Sequence, residues 1–499
     1  MREILYIQAG SLSNYTGTHF WNTQESYFTY DEDDIPLVDN SISFKEGRDP
    51  HNHPTLCPRL LAFDHKSNFG ALAKDQTTEE DASSVSTWRG EVLRHEQERV
   101  SQSEYHALLE AESESNAMDL DSNPPETKVR FWSDYSRVFF DPKSIQPVPD
   151  PRENIEGDWT ASQELFRQYD KDVELMEGPM RLVIEECDNF QGVQMMHDTA
   201  TFGGFSHAML RSFREEHRKT SIMTFALLSE VMPNMAEIGY VPYTKRIIND
   251  SLCLEGLYEL CNLTVPVLAP RYWKRPTGMP TFLIKPKNIY QSSGILSAIA
   301  ESATLPLRLR GGLDDLHSYI GHLEWRRSVP FAQLRGSLLP VGRVTRVDID
   351  DAIQLSSYSE ERCTPYARRD VSRGFAEDDL SVYESLIETC ELKHPLVLSH
   401  HACPYPIQSS FPDIFPDSRP QSIKLFSSMV TSPSTAVFFS QYATFVHDAV
   451  RRKDVTLTAM GFEDDDVREL ANTLWEIVDS YDDTSKEEDG GVELGEDEE

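Results

Sequence analysis

Over its first three hundred positions the chain alternates short, continuously apolar runs with segments of helical periodicity. Ile4, Leu5 and Ile7 form one such run; Gly10 closes it, and a helix begins that carries Gly17 toward Phe20 and Trp21. Leu60 to Phe63 reads as a second buried strand, and GVQMMHD (192–198) and IMTFALLSEVMP (222–233) as two more. Between them, Leu165, Phe166, Tyr169, Val173, Met176, Met180 and Val183 recur at helical spacing from about Ser162 to Glu186, with Gly178-Pro179 set to kink or split the helix. Further helices are expected over FSHAMLRSFREEH, near 243–261, and over QSSGILSAIAESATLP. This alternation predicts an α/β fold whose parallel sheet carries helices on its faces.

Other stretches break the pattern. Residues 73–127 shift to Glu, Asp, Ser and Gln and read as an acidic, largely disordered insert, with a charged helix possible near Trp88 to Leu109. Order returns at VRFWSDYSRVFFDP (129–142), and IQPVPDPRENIEG reads as a proline-rich linker. Beyond about 320 the pattern is mixed. The last helix, Asp464 to Tyr481, places Val467, Leu470, Leu474, Ile477 and Val478 on one face, and its acidic first turn complements the helix dipole. The expected division is 1–72 and 128–265 for the parallel-sheet domain and 266–460 for a second α+β domain. A carboxyl-terminal helix follows over 461–481, then an acidic disordered tail over 482–499. There is no internal repeat.

The 499 residues carry a formal net charge of −36. Phosphate-rich partners are therefore repelled, which excludes direct nucleic-acid binding and purely electrostatic attachment to an anionic membrane. No apolar run approaches the length of a membrane-spanning helix, and Met1 leads into a strand without a targeting segment, so a cytosolic chain is expected. Seven cysteines without framework spacing fit a reducing compartment. His51, His53 and Cys57, like His400, His401 and Cys403, match no common zinc spacing, so no metal is expected. His197 is expected to end a buried strand as a hydrogen-bonded histidine, and no Ser/His/Asp set stands in a nucleophile context.

The opening MREILYIQAGSLSNYTGTHFW resembles that of tubulins, MREI..IQAGQCGNQIG..FW, at Met1 to Ile4, Ile7 to Gly10, Asn14, Gly17, Phe20 and Trp21. PRLLAFDHKSNF resembles the tubulin PRALLVDLEPGT at Pro58, Arg59, Leu61 and Asp64, with Lys66 in place of an acid. QGVQMMHDTATFGGFSHAMLRSFREEH resembles QGFQ.THS.GGGTGSG and its REEY helix, in a loop two residues shorter that keeps only Gly203 and Gly204. CLEGLYELC resembles DNEALYDIC, with Leu254 replacing the asparagine that contacts nucleotide there. A retained nucleotide site, with GTP as its ligand, would draw on Gly10, Asn14, Asp64, Gly203 and Gly204. The plainer reading gives the glycines to tight turns and close packing, and it is the one adopted: no cofactor, and no enzyme. Tubulin-like polymerisation is not expected, because the hydrolysis-triggering acidic loop has no counterpart.

WSDYSRVFFDPKSI, EECDNFQGVQ and SSGILSAIAESATLPLRL are similar to the Misato family, a divergent branch of the tubulin superfamily. That resemblance implies a tubulin-like fold and a non-enzymatic role in mitochondrial inheritance, distribution and morphology, including partitioning of mitochondrial DNA. It places the chain in the cytoplasm and peripherally on mitochondria, acting through protein contacts at the mitochondrial surface or with tubulin or chaperonin components. The alternatives are a divergent GTP-binding switch and a tubulin-associated assembly factor.

Overall fold

A computed structural model describes residues 2–29, 36–48, 53–74, 100–115, 129–236, 240–274, 285–324, 329–339, 352–356, 364–380, 383, 397–415 and 419–481. Strand β1 (Glu3–Ala9) turns at Gly10 into α1 (Ser11–Glu25), a hairpin of β2 (Phe44–Arg48) and β3 (Pro54–Pro58) follows, and β4 (Leu60–His65) returns beside β1. After α2 (Glu104–Ser115) come β5 (Ile145–Val148), α3 (Trp159–Val173) and α4 (Arg181–Glu185). The chain then alternates through β6 (Phe190–Asp198), α5 (Thr199–Glu216), β7 (Ser221–Leu227), α6 (Val241–Leu260) and β8 (Leu263–Val267). These six strands make one parallel sheet in the order β5-β4-β1-β6-β7-β8. β1 and β7 are buried at every residue, which is why they read as unbroken apolar runs rather than as alternating ones.

Each face of this sheet has its own core. Leu5, Ile7, Leu61, Phe63, Val193 and Met195 pack under α3, α4 and α5 on one side. On the other, Ile4, Tyr6, Leu60 and Ala62 belong to a larger core that continues through α7 (Ile289–Thr304) into the second domain. That domain follows α8 (Leu316–Leu323). It holds a mixed sheet of β9 (Gln333–Leu339), β10 (Ile353–Gln354), β11 (Ala367–Arg373), β12 (Val397–Ala402) and β14 (Ser422–Thr431), with β13 (Tyr405–Pro406) paired to β14. Helices α9 (Thr435–Arg451), α10 (Val455–Ala459) and α11 (Asp464–Tyr481) follow, α9 and α11 packing as a pair that also meets α6. Residues 290–304 of α7 are all buried, because the helix lies between the two sheets rather than on a surface.

The structure differs from the sequence expectation in two places. The start of the proline-rich linker is an edge strand: β5 pairs in parallel with β4, and Pro147 is tolerated there because an edge strand need not donate on both sides. Residues 129–142, where order was expected to return, hold a short 3-10 turn, Trp132–Tyr135, whose two aromatic rings are buried. Within the stretch expected to be solvated, α2 packs Tyr105 and Leu109, one helical turn apart, into the core. The Tyr105 hydroxyl lies 3.4 Å from that of Tyr290. Residues 75–99, 116–128 and the tail from 482 onward lie outside the described residues. The interruption at Gly178-Pro179 is present as a single π-turn, Met176–Met180, separating α3 from α4.

Candidate functional site at the carboxyl edge of the parallel sheet

In an open parallel sheet, ligands bind beyond the carboxyl ends of the strands where the winding direction reverses. That point lies here between β1 and β6, since the chain winds outward from β1 through β4 and β5 on one side and from β6 through β8 on the other. The structure brings Gly10, Asn14 and Asp64 together there. Gly10 has φ 103°, a left-handed conformation that favours glycine; its N–H donates to Phe63 O (3.0 Å) and its carbonyl accepts from Asn14 N (2.9 Å). Asn14 Nδ2 donates to Phe63 O at 2.8 Å and to Asp64 Oδ2 at 3.3 Å. Asp64 also accepts from Asn68 Nδ2 (2.7 Å) and from His65 N (2.8 Å), and its burial pushes the carboxyl above its ordinary range. Lys66 is exposed at the start of a 3-10 turn, and among the described residues it makes no ion pair with Asp64.

The decisive residue was not singled out from the sequence. Asp198, the last residue of β6, directs its carboxylate at the N-terminus of α1: Oδ2 accepts from Leu12 N and Oδ1 from Ser13 N, both at 2.8 Å. This two-pronged contact is the one a phosphate would make with the first N–H groups of a helix. A Cβ on Gly10 would meet this carboxylate at 2.6 Å, so the glycine makes room for a side chain of the same protein. Burial pushes the Asp198 carboxyl up to about 7; the two N–H donors pull it down, and the neighbouring Asp64 adds to the rise. A signal was present in the sequence, since Asp198 stands where the tubulin run QGFQ.THS has serine.

Gly203 and Gly204 stand with the packing reading rather than with this set. They lie in the second turn of α5, not in a loop, and both are buried against α3. A Cβ on Gly204 would sit 2.4 Å from Trp159 O, so the glycine serves close helix packing. Gly204→Ala is therefore expected to lose about 1–3 kcal/mol in urea unfolding through overpacking, despite a helix-propensity gain of up to about 1 kcal/mol. Gly321→Ala in α8, with open space around its Cβ, should be neutral or stabilising.

Adjacent groups are committed to the fold. Asp250 of α6, fully buried and pushed up to about 7 by burial, accepts from Thr199 Oγ1 (2.6 Å), Ser229 Oγ (2.6 Å) and Ser229 N (3.2 Å), joining the start of α5 to the exit of β7. Leu254 is fully buried in the core. His197 is also fully buried, with its ring nitrogens 3.4 Å from Cys253 Sγ and from Thr224 Oγ1, and burial lowers it to about 4. His400 Nε2 lies 3.3 Å from Asp314, and His401 hydrogen-bonds Ser372 across β11 and β12. His51 lies outside the described residues. In this set two donors of the α1 N-terminus are engaged by Asp198, and an exposed lysine stands in the acid's position.

Comparison with known proteins agrees with the tubulin-like fold. Residues 2–111 match the model of the Misato segment II tubulin-like domain, and residues 122–309 match a tubulin domain. Protein DML1 of Gibberella zeae is 33% identical over 354 residues, covering 68% of each chain. The chain belongs to the Misato family of tubulin-like proteins. Protein dml1 of Aspergillus niger is 27% identical over 516 residues, spanning 97% of this chain and all of the relative, and protein dml1 of Schizosaccharomyces pombe is 27% identical over 326 residues, 62% and 67% of the two chains. The Misato match ends inside α2, so this family's segment includes the helix that composition had assigned to the insert.

Proposed function

We propose that this protein is a non-enzymatic, tubulin-like scaffold that acts in mitochondrial inheritance, distribution and morphology, including partitioning of mitochondrial DNA, through protein contacts. The observation that carries the non-enzymatic part is the Asp198 carboxylate on the N–H groups of Leu12 and Ser13, which occupies two of the donors a phosphate would use at the α1 N-terminus. The mitochondrial part rests on the Misato family resemblance. Among the described residues no helix is long and apolar enough to cross a membrane, which accords with peripheral attachment to the mitochondrial surface through a partner. Tubulin or chaperonin components are the partners that a tubulin-like surface would meet.

Equilibrium binding of fluorescent GTP to the full chain, with and without magnesium, tests the nucleotide-free reading. No saturable binding is expected at high micromolar nucleotide. Saturable, magnesium-sensitive binding that Gly10→Ala abolishes would overturn it in favour of a GTP-dependent switch. For the organelle role, depletion of the protein should leave daughter cells short of mitochondrial DNA; normal partitioning after depletion would remove that part of the reading.

A further inference from the structure

The surface around the first turn of α6 runs against the acidic character of the chain. Thr244 Oγ1 donates to Asp454 Oδ2 at 3.2 Å, which sets the start of α6 beside the turn from α9 into α10. Large apolar side chains stand exposed on both sides of that bond: Tyr240 (51%), Val241 and Tyr243 on α6 and its cap, and Val455 (75%) on α10. The two tyrosine rings meet edge to face with centroids 4.7 Å apart, so they are ordered before any partner arrives. Lys245, Arg452 and Lys453 flank these side chains in sequence.

The described carboxylates nearby are already engaged. Glu156 binds Arg246 at 2.7 Å, Asp448 pairs with Arg451 at 3.5 Å, and Asp454 accepts from Thr456 N and Oγ1. Among the described residues no carboxylate lies within ion-pair distance of Lys245, Arg452 or Lys453. The result is a patch of exposed aromatic and aliphatic groups whose positive charge is not paired among the described residues, on a chain of net charge −36.

We propose that this patch docks an acidic segment of a partner protein, one that carries aromatic or aliphatic side chains between its carboxylates. Ordered tyrosines offer large contact area at low entropic cost, and flanking cations steer and orient an acidic strand. A flat anionic bilayer fits less well. It must approach over an area much wider than the patch, where the acidic body repels it, whereas a single peptide feels charges only within a screening length of about 8 Å. The inference deepens the protein-contact reading and rests on it only in taking the ligand to be a protein.

Fluorescence anisotropy of the full chain with a fluorescein-labelled glutamate peptide bearing two phenylalanines tests it, alongside sedimentation with vesicles of phosphatidylserine and phosphatidylcholine. Saturable peptide binding at low salt is expected, falling about tenfold or more in Lys245→Glu/Arg452→Glu/Lys453→Glu and to a similar degree in Tyr240→Ser/Tyr243→Ser. The substituted side chains are at the surface, and unchanged circular dichroism would confirm that both variants fold. Absence of saturable binding, binding that neither variant weakens, or vesicle binding lost in the charge variant while the peptide does not bind would each overturn the proposal. Such a failure would leave the GTP result, and the nucleotide-free reading that depends on it, untouched.

Discussion

Glu301→Ala is expected to be the most damaging single substitution in the described structure, lowering the urea midpoint until little soluble protein remains at 37 °C. Glu301 sits on α7, fully buried, and its carboxylate collects donors from three directions. Oε1 accepts from Gln24 Nε2 (2.9 Å), Tyr27 OH (3.2 Å) and an Arg308 guanidinium nitrogen (3.2 Å), while Oε2 accepts from Arg373 at 2.9 Å. Both arginines are fully buried. Truncation leaves two guanidinium groups inside the core without their anion, and breaking a buried pair in this way costs about 3–5 kcal/mol. That is a large part of the roughly 5–15 kcal/mol that separates folded from unfolded chains. Glu301→Gln keeps an acceptor and should fall between the two. A Glu301→Ala variant within about 1 kcal/mol of the parent would mean that water reaches these arginines and that the network is not structural.

The placement of this network explains its leverage. Gln24 and Tyr27 belong to α1 and the turn after it, under the parallel sheet; Arg373 ends β11 in the second sheet; Arg308 follows α7. One carboxylate therefore ties both domains to the helix between them. The Arg373 guanidinium also lies over the rings of Tyr27 and Tyr405, which adds a cation–π contribution. A scaffold whose task is to hold surfaces in fixed relation would depend on such a tie.

Much of the parallel-sheet domain was legible because parallel strands covered on both faces must be apolar at successive positions, as Ile4 to Ile7 and Leu60 to Phe63 are. The final helix was legible as well: its apolar face, Val467, Leu470, Leu474 and Ile477, is buried and its acidic first turn opens the helix at Asp464. The second sheet was not. Strand β11 reads ARRDVSR, yet all seven residues are buried, because Arg368 pairs with Asp370, Arg369 with Asp314 and Arg373 with Glu301. Hydropathy cannot reveal a strand whose burial depends on ion-pair partners up to seventy-two positions away. Gly203-Gly204 misled for the opposite reason. A glycine pair ordinarily marks a loop, but here the missing side chains let α5 approach the backbone of α3. Asp198 showed only as an aspartate in the place of a serine, because its role depends on Leu12 and Ser13, some 185 positions earlier.

Asp198→Asn is expected to shift the pH dependence of stability in a defined direction. Burial holds the Asp198 carboxyl at about 7 in the folded chain, whereas in the unfolded chain it titrates near the ordinary value of 3.8. Between these values the folded chain retains a proton that the unfolded chain has released. The stabilisation is therefore fully present below the unfolded value and is lost as pH rises through about 7. Asparagine does not titrate. The difference in unfolding free energy, parent minus variant, should thus fall by about 2–3 kcal/mol between pH 5 and pH 8. Asp250, also raised to about 7 by burial, contributes the same trend to both proteins and cancels in the difference. Urea unfolding of the pair across this range makes the measurement. A difference that stays constant or grows with pH would mean that the carboxylate is ionised throughout, held by the N–H groups of Leu12 and Ser13 as a bound phosphate would be. Either result bears on the site, because an incoming phosphate must displace Asp198 from those donors, and its own negative charge would add to that of Asp64 beside it.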